Sequence, residues 1–122
     1  MKVMIVDDSP MIHKLLKREI ENNGHEVVFI ASNGKEAVEN YKQFKPDLVF
    51  LDLTMPVMEG EQAYKEIYKI DNNCKVVFLT ALGDNKELFE NDKNIIRIIK
   101  KPFKPDEIKE ILIMVGDISW LI

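Results

Sequence analysis

MKVMIVDDSPMIHKLLKREIENNG, residues 1–24, reads as a strand, a turn and a helix in that order. Val3 to Val6 form an unbroken apolar run, as expected of a strand buried on both faces. The run ends on two carboxylates, Asp7 and Asp8, which are costly beside a core unless paired, hydrogen-bonded or bound to a cation. Ser9 then offers an N-cap and Pro10 a first helical residue. Met11, Ile12, Leu15, Leu16 and Ile20 recur at helical spacing, and Gly24 stands where that helix should stop.

The same alternation continues along the chain. Short β-branched runs recur at EVVFI (26–30), DLVFLD (47–52), KVVFLT (75–80) and NIIRIIK (94–100), making five strands with KVMIV (2–6). Between them lie helix-period patterns: Ala37, Val38, Tyr41 and Phe44; Ala63, Ile67 and Ile70; and a weaker one over about residues 84–91. A fifth follows Pro105, with Ile108, Ile111, Leu112 and Val115. Nearly all-apolar strands alternating with helices indicate an α/β fold, a doubly wound parallel sheet with helices on both faces. With right-handed crossovers, five such strands take the flavodoxin-like order 2-1-3-4-5. The tail GDISWLI (116–122) is unusually apolar and is expected to prolong the last helix, cap the core or meet a second copy.

Composition limits what such a sheet can serve. With 122 residues the expectation is one domain, residues 1–122, because two of ordinary size do not fit. A net charge of -4 lacks the basic excess of a nucleic-acid binder. No apolar run has the length of a membrane span, and MKVMIVDD turns acidic too early for a signal peptide, so a cytoplasmic protein is expected. Cys74 is the only cysteine, which excludes an internal disulfide, and His13 and His25 have no companion cysteines for zinc. His13 is expected at a surface or boundary. Five cations, Lys93, Arg97, Lys100, Lys101 and Lys104, occur without an acid between them, as a solvated face or a docking face for an acidic partner.

Ligands of doubly wound sheets sit beyond the carboxyl ends of the strands, at the switch point between strands 1 and 3. At those ends stand Asp7-Asp8, Asp52, Thr80 and Lys101. Crowded carboxylates raise one another's pKa, and a divalent cation relieves them. Oxygen ligands on short loops suit Mg²⁺ better than zinc. Asp8 and Asp52 are the candidate direct ligands, the Thr54 carbonyl a third, and Asp7 a support through water. Such a site suits phosphoryl transfer onto a carboxylate. Asp52, alone at the end of the central strand, is the candidate nucleophile, with Thr80 and Lys101 to meet phosphoryl oxygens.

The DD after strand 1, the D of LDLTMP, the T of FLTA and the K of KKPF, in that order, resemble the receiver domains of two-component response regulators. The resemblance covers nearly the whole chain. It implies that Asp52 accepts a phosphoryl group from a sensor histidine kinase or histidine phosphotransfer protein, with Mg²⁺ and slow autodephosphorylation. It implies a phosphoacceptor signalling protein rather than an enzyme, in chemotaxis or a phosphorelay. It also implies a downstream target protein bound at the face of helix 4, strand 5 and helix 5, and often a cis peptide at Lys101-Pro102. No second domain follows the fifth helix, so a stand-alone receiver is expected. In similar proteins an aromatic residue stands three positions before this lysine; here the position holds Ile98, and Asn94 and Ile95 replace the usual small residues.

Other functions fit less well. A dehalogenase-like phosphatase needs a second acid two residues after the nucleophile, where Thr54 stands. DDSP would repel the phosphate of a flavin, and the chain has neither a P-loop nor a dinucleotide-binding glycine fingerprint. A receiver that signals without phosphorylation would not need the intact acids, Thr80 and Lys101.

Overall fold

The computed structural model describes residues 1–81 and 91–121, with side chains as far as Gly116. Strands β1 (Lys2–Val6), β2 (Glu26–Ala31), β3 (Leu48–Asp52), β4 (Val76–Thr80) and β5 (Ile95–Lys100) form one parallel sheet in the order β2-β1-β3-β4-β5. Helices α1 (Pro10–Asn22), α2 (Gly34–Phe44), α3 (Gly60–Ile70) and α4 (Pro105–Leu121) cover it. The α4 helix is the fifth helix expected from sequence, and its backbone runs through most of the apolar tail. The helix expected over about 84–91 falls almost wholly on residues 82–90, outside the described residues.

Period-2 alternation divides the strands between two cores. Met4, Val6, Val49, Leu51, Val76 and Phe78 pack with Ala37 and Tyr41 of α2 and Ala63, Tyr64 and Ile67 of α3. Val3, Ile5, Leu48, Phe50, Val77 and Leu79 pack on the other face with Leu16 and Ile20 of α1 and Ile108, Ile111 and Leu112 of α4. β1, β3 and β4 lie inside the sheet with helices packed on both faces, which is why their apolar runs are continuous.

Local signals set the helix ends. Ser9 Oγ accepts the Ile12 amide at 3.4 Å, Pro10 is the first helical residue, and Gly24 leaves α1 at φ 83°. Asn33 caps α2 by accepting the Glu36 amide at 2.9 Å. No helix among the described residues is long and apolar enough to cross a membrane.

Candidate phosphoacceptor site

Four of the five strands lead into polar side chains at this end of the sheet. β1 hands over to Asp7, whose amide bonds the Ala31 carbonyl of β2 at 3.0 Å and whose carboxylate is fully buried. Asp8 follows and is exposed. Asp52 closes β3 and Thr80 closes β4; both are buried. The Lys101 amide bonds the Thr80 carbonyl at 2.7 Å, fixing the residue after β5 against the end of β4. The Lys101-Pro102 peptide is cis.

Lys101 Nζ lies 2.7 Å from Asp7 Oδ2 and 3.2 Å from Asp52 Oδ2, bridging the two carboxylates. The remaining oxygens take backbone donors: Ser9 N bonds Asp7 Oδ1 at 2.9 Å, and Thr54 N bonds Asp52 Oδ1 at 3.2 Å. Burial, and then the charge of Asp7, push the Asp52 carboxyl above the usual range, against the opposing Thr54 amide and Lys101. Burial alone would lower the Lys101 ammonium. Its contact with Asp7 and the charges of Asp52 and Asp7 outweigh that and raise it.

The donor set fits a hard divalent cation. One carboxylate oxygen from each of Asp7, Asp8 and Asp52 lies within 4.8 Å of the others. Asp7 Oδ2 is buried with no donor along a hydrogen-bond direction, leaving only the Lys101 ion pair to offset it. Three acids against one ammonium leave negative charge uncompensated, and carboxylate oxygens are the ligands Mg²⁺ takes.

Two supporting residues carry no sequence signature of a site. His13, half-buried on α1, brings Nε2 against the backbone carbonyl of Asp7 and ties the helix to the end of β1. Gly60, first in α3, lies so close to β3 that a Cβ there would stand 2.2 Å from the Asp52 carbonyl oxygen. Its amide bonds the Leu53 carbonyl at 3.0 Å. Between β3 and α3, the loop of residues 53–59 leaves Thr54 exposed and carries Val57 through φ 69°.

Ile98 faces the α2–α3 core, opposite Phe78 of β4 in register. Tyr64 of α3 supplies an aromatic ring there, edge-on to Phe78 at 5.7 Å between centroids. Its hydroxyl bonds Asp92, just before β5. Of the five cations, Lys101 enters the site, Arg97 pairs with Glu110 of α4 at 3.4 Å, and Lys93, Lys100 and Lys104 are exposed.

Known proteins share this arrangement. The response regulator receiver domain family matches residues 3–113. The chain is 45% identical over 112 residues to the chemotaxis protein CheY of Thermotoga maritima, covering 91% of this chain and 93% of that one. It is 38% identical over 110 residues to CheY of Bacillus subtilis, covering 89% and 92%. Its structure superposes on a CheX–CheY complex with BeF3 and Mg²⁺ from Borrelia burgdorferi with a TM-score of 0.84 at 30% identity, covering 94% of this chain and 88% of that one. The chain belongs to the response regulator receiver domain family, as a receiver of the CheY type.

Proposed function

We propose that Asp52 is the phosphoacceptor of a Mg²⁺-dependent switch, charged by a sensor histidine kinase or a histidine phosphotransfer protein. The observation that carries this is the bridging of Asp52 and Asp7 by Lys101 beside exposed Asp8. Asp8 and Asp52 would hold Mg²⁺ directly with the Thr54 carbonyl, and Asp7 through water. Bound there, Mg²⁺ would supply positive charge to the oxygens of the moving phosphoryl group.

The chain's own groups do the rest. An Asp52 oxygen attacks phosphorus as the N–P bond of the donor histidine breaks. The electron pair leaves with the ring nitrogen, which departs as neutral imidazole when the other nitrogen carries the proton. Lys101 follows the developing charge from Asp52 to a phosphoryl oxygen, and the Thr80 hydroxyl donates to another. Hydrolysis reverses the attachment slowly, as water attacks phosphorus and the Asp52 carboxylate leaves. The protein thereby assists its own charging and discharging and otherwise signals by contact.

The output is a protein contact at the face built on β5 and α4. Ile98 has neither ring nor hydroxyl, so the shift passes through Thr80 and the backbone. The chemistry of a kinase-fed switch, and the likeness to CheY, support a place in the cytoplasm. Incubation with Mg²⁺ and acetyl phosphate, followed by intact-mass measurement, tests the assignment. One phosphoryl adduct is expected, lost in Asp52→Asn and without Mg²⁺; an adduct that survives Asp52→Asn refutes it.

A further inference from the structure

Gly34 opens α2 where the loop of residues 53–59 lies against it. A Cβ at Gly34 would stand 2.6 Å from the Met58 carbonyl oxygen and 3.0 Å from the Cβ atoms of Met58 and Ala63. The nearest of these atoms is backbone, which cannot swing aside as the end of a long side chain would. Gly34 is not at positive φ, and alanine would favour the helix more. Its need is therefore the space that the loop occupies.

The start of α2 has little freedom to retreat. Asn33 Oδ1 accepts the Glu36 amide at 2.9 Å, and Glu36 Oε1 accepts the Ser32 amide at 2.8 Å. Ala31, just before them, ends β2 and bonds the Asp7 amide through its carbonyl. The loop is the side that would give. Its base is held where the Gly60 amide bonds the Leu53 carbonyl, and it turns at Val57, across which the Met58 amide bonds the Pro56 carbonyl at 2.7 Å. Between base and turn lies exposed Thr54, whose amide bonds Asp52 Oδ1. A push on Met58 is thus passed along a short, braced loop to Thr54. Mg²⁺ demands near-ideal octahedral geometry at about 2.0–2.1 Å, so a small misplacement of one ligand weakens it.

We propose that Gly34 is a positioning residue of the cation site: by admitting the Met58 carbonyl it fixes the loop that presents the Thr54 carbonyl. The proposal rests on that carbonyl being a ligand of Mg²⁺. Gly34→Ala is compared with wild type and with Ala37→Gly, which loosens the same helix one turn further on, at a buried position away from the loop contact. Mg²⁺ affinity is measured by calorimetry, and amide hydrogen exchange is followed with and without Mg²⁺. Gly34→Ala should bind Mg²⁺ roughly tenfold more weakly, as when a support of a metal ligand is lost, and should exchange faster at Thr54 and Gly60. Ala37→Gly should melt lower and keep the wild-type affinity. In the wild type, saturating Mg²⁺ should slow exchange at Met58 and at Glu36 of α2, since the coupling is reciprocal, and this holds the proposal to account even if Gly34→Ala does not fold. Wild-type affinity in Gly34→Ala overturns the proposal. So does equal weakening in Ala37→Gly, which would make the effect one of helix stability, or unchanged exchange at Met58 and Glu36 when the wild type binds Mg²⁺. A wild type that binds no Mg²⁺ overturns the proposed cation site, and this proposal with it.

Discussion

The ammonium of Lys101 stands 2.7 Å from the carboxylate of Asp7, and that carboxylate is fully buried. Removing one member of such a pair strands the other without water. Lys101→Met should therefore lower the unfolding free energy by about 3 kcal/mol, read from urea midpoints without Mg²⁺. The double variant Asp7→Asn with Lys101→Met should lose less than the sum of the two single changes, because the stranded charge is gone.

Asp8 separates binding from folding. It is exposed, so Asp8→Asn should change stability by less than about 0.5 kcal/mol in metal-free buffer. A cation that binds only the folded chain raises its melting temperature by mass action. Titrating Mg²⁺ into the wild type should raise the melting temperature, and most of that rise should vanish in Asp8→Asn. Equal rises in both proteins would remove Asp8 from the ligand set.

Gly60 is a packing constraint on Asp52. An added methyl meets the Asp52 carbonyl oxygen at 2.2 Å and the Leu53 Cα at 2.8 Å, both backbone atoms that cannot swing aside. Gly60→Ala should cost about 1–3 kcal/mol in thermal or urea unfolding. By displacing Asp52 it should also slow charging by acetyl phosphate. An unchanged charging rate would show that the site tolerates movement of β3.

Tyr64 gives the molecule an alkaline limit. Burial, and then the bond and charge of Asp92, raise the pKa of its hydroxyl above the ordinary tyrosine value. The folded state thus keeps a proton that the unfolded chain gives up near pH 10. The stabilisation is complete below that pH and is lost as pH rises further. Tyr64→Phe should cost about 1–2 kcal/mol at pH 7, and its stability should fall less steeply above pH 10. Chemical denaturation at pH 7 and at several alkaline values checks both parts.

The five strands and the polar strand ends were legible because a buried parallel strand is an unbroken apolar run, and its end is where that run stops. Asp7, Asp52, Thr80 and Lys101 all stand at such ends. Asp8 followed from its neighbour. His13 was not legible as a support of Asp7, since a lone histidine on a helix has no pattern that reports which carbonyl it meets. Gly60 was not legible either: its need arises from β3, which approaches from elsewhere in the chain. Val57 runs against propensity, because the left-handed conformation calls for glycine or asparagine. Tyr64 lies on an ordinary helix face, and its contact with Phe78 and its bond to Asp92 depend on elements that reach it from far along the chain.

The close approach of Gly60 to the Asp52 carbonyl makes it the natural fulcrum of α3, beside the proposed phosphoacceptor. From that fulcrum the eleven residues of α3 extend to Ile70, a reach of about 16 Å at 1.5 Å per residue. A rotation of about 5° at Gly60 would carry the far end by roughly 1.4 Å over such an arm. Half-exposed Tyr68 and Ile70 sit near that end, so a tilt of α3 about Gly60 would alter the outline of its surface while leaving the sheet in place.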